Sequence, residues 1–152
     1  RIGIFDRSHY EDVLVVKVRG FAPAEAVEQR YGQINAFEKH LTENDVTIVK
    51  CMLNVGYEEQ GIRLAERLEE PHKLWKFNPE DLKDRKLWPE FMAAYEAAIA
   101  RCSTRHAPWY VIPSDSRTRR NAMIARLVRG ALEGMNLEWP SSKYKPGDFE
   151  IG

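Results

Sequence analysis

Apolar runs of strand length alternate along this chain with longer stretches whose apolar residues return every three or four positions. That alternation confines the fold to an α/β unit with a mostly parallel sheet. Ile2, Gly3, Ile4 and Phe5 form the first run and end in polar Asp6, Arg7, Ser8 and His9, the way a buried parallel strand hands over to a loop. Asp12 to Val18 is valine-rich and fits strand or helix equally. From Pro23 to Leu41 the residues Val27, Tyr31, Ile34, Phe37 and Leu41 keep helical spacing, with Pro23 suited to a first turn. Val46 to Leu53 predicts a second strand, interrupted by Lys50. A charged helix follows from Glu58 to Glu70 and stops at Pro71. Asn78, Pro79, Glu80 and Asp81 then open a long helix through Trp88, Phe91, Met92, Tyr95 and Ile99, in which Pro89 should force a kink or a restart. Trp109 to Pro113 is the third strand candidate, and Met123 to Met135 marks a last amphipathic helix. Sites in such sheets form beyond the carboxyl ends of the strands.

With 152 residues the chain is expected to make one compact unit, 1–139, followed by an irregular tail, 140–152, of Pro, Ser, Lys and Gly. Its 23 basic and 23 acidic residues cancel, so no overall field argues for nucleic acid or an anionic membrane, and any polyanion site must be a local cluster. The two cysteines, Cys51 and Cys102, have neither disulfide-framework nor metal spacing, which fits a cytoplasmic compartment. No apolar run reaches the roughly 18 residues of a membrane span. The first residue is Arg1, directly before a strand-like run, so a fragment of a longer protein is expected.

Three groups of residues could carry chemistry. Asp6, at the end of an apolar run, either holds Mg²⁺ that bridges phosphate oxygens or simply caps the next element. Arg63 and Arg67 lie four apart on one helix; their guanidinium groups either bind phosphate or pair with Glu59 and Glu66 on a solvated face. The stretch from Arg101 to Arg129 holds Arg101, Arg105, Arg117, Arg119, Arg120, Arg126 and Arg129 against the one acid Asp115, the only marked charge asymmetry. It either lines a polyanion channel or lies exposed. His9, His40, His72 and His106 are scattered without metal-ligand spacing, and the chain contains no Gly-rich phosphate loop, serine elbow or dinucleotide fingerprint.

Ile2 to Val16, with Phe5-Asp6-Arg7-Ser8-His9-Tyr10 at its centre, resembles the strand and loop at the second Walker motif of the polyphosphate kinase 2 family. Trp75-Lys76-Phe77 with Pro79, Asp81 and Leu82 is similar to that family's lid. Ser103-Thr104 with His106 to Pro113 is similar to its late strand. The resemblance implies a P-loop kinase-like three-layer α/β fold with parallel sheet and helical lid (about 58–88), incomplete at the N-terminus because the family's first Walker motif lies upstream of Arg1. It implies a phosphotransferase that moves phosphoryl groups between inorganic polyphosphate and nucleotides (ADP/ATP or AMP/ADP, or guanine nucleotides) with Mg²⁺. Asp6 would organise metal and phosphate and Arg7 would bind phosphate beside it. Arg63, Arg67 and Lys76 would neutralise polyphosphate or nucleotide. Gly61 and Pro89 depart from the family's pattern and are expected to loosen the lid helix. A homo-oligomer is expected, and the isolated chain is expected to be inactive. The rival readings are a P-loop nucleoside monophosphate kinase and a non-catalytic polyanion-binding fragment.

Overall fold

The computed structural model describes residues 1–150; Ile151 and Gly152, the end of the expected irregular tail, lie outside the described residues. A 3₁₀ turn, His9–Asp12, leads into the short helix α1 (Val15–Val18), so the valine-rich segment resolves as turn and helix. The other elements are α2 (Ala24–Thr42), β1 (Lys50–Asn54), α3 (Tyr57–Glu69), a second 3₁₀ turn (Leu74–Lys76), α4 (Glu80–Lys86), α5 (Trp88–Cys102), β2 (Trp109–Pro113) and α6 (Arg117–Gly134). β1 and β2 pair in parallel, with Lys50 opposite Trp109 and Asn54 opposite Pro113, and the helices between them form the crossover. This is an α/β unit with a parallel sheet. Among the described residues no helix is long and apolar enough to cross a membrane.

The main core cluster joins the first turn to two helices. Tyr10, Val13 and Leu14 pack against Val27, Tyr31 and Ile34 of α2 and against Ala94, Ala98 and Cys102 of α5. The two alanines are 1% exposed, and their small side chains let the α5 backbone approach the aromatic residues closely. Pro89 occupies the first turn of α5, where a missing N–H costs nothing, so it starts a helix rather than kinking one. Gly61 likewise has a packing reason. A methyl group there would meet Arg85 Nη2 at 2.9 Å, because that guanidinium lies over the Tyr57 ring at 3.5 Å and donates to the Tyr57 carbonyl and to Gln60. The glycine admits the arginine that fastens α4 onto α3, in place of the loosening expected.

Two sequence expectations are corrected. Residues 2–5 form no strand; Ile2, Ile4 and Phe5 are exposed. A strand exists through its ladder, and β1 and β2 pair only with each other among the described residues. On α2 the buried stripe runs Val27, Tyr31, Ile34 and then Glu38, while Phe37 is 49% exposed. The helical period allows either 37 or 38 as the next buried position, and partners from other elements select Glu38.

Candidate active site

Both strands end at the same edge, and two helices begin there. Beyond Asn54 the chain passes through Gly56 into α3; beyond Pro113 it passes through Asp115 to Ser116, whose hydroxyl accepts from Arg119 N and caps α6. The edge is tied together by side chains. The Asp115 carboxylate accepts from Gly56 N–H at 2.7 Å, and Ser114 N–H donates to the Asn54 carbonyl at 2.9 Å, which extends the ladder by one residue. Helix N-termini at the carboxyl ends of parallel strands present unpaired N–H groups to anions.

Arg63 points into this edge. It donates to the carbonyls of Ser114 (2.8 Å) and Asp115 (2.9 Å) and pairs with Glu59 (2.8 Å), and its side chain is 16% exposed. It thus joins α3 to the end of β2. Arg67, one turn on, pairs with Asp81 at 2.9 Å and joins α3 to α4. Lys76 stands over the ring of Trp75, itself 79% exposed, with its ammonium 5.1 Å from the ring centroid. Of the three predicted cations, Lys76 is the one whose contact leaves its donors turned to solvent.

Asp6 lies at an exposed bend, and Arg7 follows in the left-handed region (φ 69°), a conformation that costs a non-glycine residue of order 1 kcal/mol. Arg7 is 76% exposed and reaches Glu11 at 3.7 Å. Ser8 caps the 3₁₀ turn by accepting from Tyr10 N–H. The ion pairs of Asp6's neighbour and of the α3 arginines run in different directions, and none joins the Asp6–Arg7 bend to Arg63, Arg67 or Lys76. In the arginine-rich stretch, Arg101 pairs with Glu28, Arg117 approaches Glu66 and Arg129 pairs with Glu133, so part of that asymmetry is balanced locally.

A buried polar network sits behind the bend. Lys50 uses its three N–H bonds on Glu38 Oε2 (2.6 Å), the Tyr10 hydroxyl (2.8 Å) and the Cys102 carbonyl (2.8 Å). His9 Nε2 lies 3.3 Å from Glu38 Oε1. Burial pushes the Glu38 carboxyl up, but the hydrogen bonds from His9 and Lys50 outweigh it, and the group stays below its ordinary range and ionised. Burial first, then the Glu38 charge, pushes the Tyr10 phenol well above its ordinary value, so it remains protonated. His9 has no metal-ligand spacing in the sequence, and Glu38 falls outside the apolar period of α2. The visible signal was Lys50, a charge inside a strand-like apolar run.

The family model described as polyphosphate kinase 2 matches residues 1–140. The AMP/ADP-polyphosphate phosphotransferase of Meiothermus ruber is 46% identical over 137 residues, covering 90% of this chain and 51% of the relative. The ADP-polyphosphate phosphotransferase of Rhodopseudomonas palustris is 34% identical over 154 residues, covering 93% and 53%. The crystal structure of polyphosphate kinase 2 from Arthrobacter aurescens TC1 superposes with a TM-score of 0.90 at 44% identity, over 93% of this chain and 50% of that one. The chain spans about half the length of these relatives. Carrying that match from Arg1 to beyond α6, together with the α/β fold of the crystal structure, the chain belongs to the polyphosphate kinase 2 family.

Proposed function

We propose that the full-length protein transfers phosphoryl groups between inorganic polyphosphate and adenine nucleotides. The observation that carries this reading is the continuous family match over residues 1–140, supported by relatives whose names specify AMP, ADP and polyphosphate. Among the described residues no three His, Cys, Asp or Glu side chains cluster to cage a metal. Mg²⁺ is commonly held by one or two carboxylates together with substrate phosphates and water. Asp6, an exposed carboxylate at a bend, is the residue that would hold it. When bound, the ion neutralises charge on the transferring phosphoryl group. Arg7 beside it would bind a phosphate oxygen, and no covalent protein nucleophile is required.

The helices from α3 through α4 would serve as the lid, with Arg63 and Arg67 setting its shape through Ser114, Asp115 and Asp81, and Lys76 meeting the polyanion. The reading includes a cytoplasmic homo-oligomer. The direct assay follows nucleotide phosphorylation with polyphosphate as donor. Phosphorylation that requires a nucleoside triphosphate and ignores polyphosphate would favour the nucleoside monophosphate kinase reading instead.

Lys76→Ala is expected to raise the polyphosphate KM with little change in nucleotide KM. By analogy with counterion release, it should also reduce the log–log salt slope of polyphosphate binding by about one. An unchanged slope would place Lys76 outside the polyphosphate track. Arg63→Ala is a poorer probe, since it also releases the end of β2.

A further inference from the structure

His9 is the first residue after Asp6 that the fold holds in place. Residues 1–9 are all exposed, whereas Tyr10 is 2% exposed and Val13 and Leu14 are buried. The turn that begins at His9 is fixed from below by Tyr10 in the core and from the side by Arg30, which donates to the Asp12 carbonyl at 2.9 Å. Neither contact reaches back toward the bend. Arg7 of the bend meets only the exposed Glu11 pair, whereas His9, two residues on, bonds to a carboxylate with no exposed surface.

The partner also fixes the geometry of the contact. Glu38 is ionised and can only accept, so His9 Nε2 carries the proton and donates. Lys50 holds the other carboxylate oxygen, so Glu38 cannot swing away without leaving a buried ammonium unpaired. The His9 ring packs edge-on to Phe37 at 5.5 Å and tilted on Tyr10 at 4.9 Å. Between this anchor and Asp6 stand only Arg7, in a constrained left-handed conformation, and Ser8, which caps the turn. A buried ion pair contributes little net stability compared with apolar side chains of the same size, so its use here points to a requirement for position.

We infer that His9, bonded to the Glu38–Lys50 pair, is a positioning residue that fixes the Asp6–Arg7 bend for phosphoryl transfer. It acts through the backbone of residues 6–8 and touches no substrate. The inference rests on the phosphotransfer reading, since it assigns Asp6 and Arg7 their roles.

Two substitutions separate the hydrogen bond from ring packing. His9→Gln keeps an amide N–H able to reach Glu38 but removes the ring. His9→Phe keeps a ring against Phe37 and Tyr10 but cannot donate. In the full-length protein His9→Phe is expected to lower kcat about tenfold, because a misplaced bend costs alignment of the reacting groups in the transition state. His9→Gln should stay near wild type. Amide hydrogen exchange of Tyr10 and Glu11, whose N–H groups donate to Ser8, should quicken in His9→Phe and not in His9→Gln when read without substrate. Equal behaviour of the two variants, or a His9→Phe protein with normal exchange and kcat, would overturn the positioning role. A wild-type protein without polyphosphate-dependent activity would instead defeat the proposed function, and the exchange comparison would still decide whether His9 anchors the bend.

Discussion

Asp6→Asn in the full-length protein is expected to reduce turnover at least about tenfold while leaving the unfolding transition where it is. The side chain is exposed and sits outside the core, so its removal opens no cavity and breaks none of the buried contacts. Asparagine keeps the shape and loses the charge that would hold a divalent cation beside phosphate oxygens. The loss should be steeper at limiting Mg²⁺ than at saturating Mg²⁺, which a rate titration with the metal would show. Near-normal turnover at limiting Mg²⁺ would remove Asp6 from the metal site.

Lys50→Met is expected to be the most destabilising single change outside the apolar core, at about 3–5 kcal/mol, because it leaves the Glu38 carboxylate buried without its cation. The Tyr10 hydroxyl and Cys102 carbonyl lose the same donor. Adding Glu38→Leu to Lys50→Met should restore most of the loss, since apolar side chains of similar volume replace a buried pair at little cost. Denaturant unfolding of the wild type and both variants checks this; an uncorrected double variant would show that the pair itself stabilises the core.

The same network gives an acid limb. The folded Glu38 carboxyl lies below its ordinary value, so its contribution is fully present above about pH 4.3 and is lost as the pH falls through the folded value. The stability gap between wild type and Glu38→Gln should therefore narrow on acidification below about pH 4.3. A gap that stays constant down to pH 3 would contradict the ionised assignment.

What the sequence made legible was local. β2 spans Trp109–Pro113 as predicted, α2 begins at the residue after Pro23, and Pro71 follows α3 closely, because apolar period, first-turn proline and helix stop are written in neighbouring residues. What it hid depended on partners distant in the chain. Ile2 to Phe5 has the composition of a strand, but a ladder is made by a neighbour, and hydropathy does not supply one. Phe37 and Glu38 compete for the same place on α2, and hydropathy favoured the wrong one because Lys50 and His9 arrive from other elements. Arg63 and Arg67 read either as phosphate ligands or as partners of Glu59 and Glu66. The Arg63–Glu59 pair forms as the four-residue spacing allows, while the contacts to the Ser114 and Asp115 carbonyls and to Asp81 come from elements that no spacing rule supplies.

The central claim is that polyphosphate is the phosphoryl donor or acceptor, and ³¹P NMR of the full-length protein with polyphosphate, Mg²⁺ and AMP or ADP tests it most directly. The account predicts that nucleotide phosphate signals grow in step with loss of polyphosphate residues, one phosphoryl group per nucleotide phosphoanhydride bond formed, without matching release of inorganic phosphate. Nucleotide signals that stay unchanged until a nucleoside triphosphate is added would contradict it.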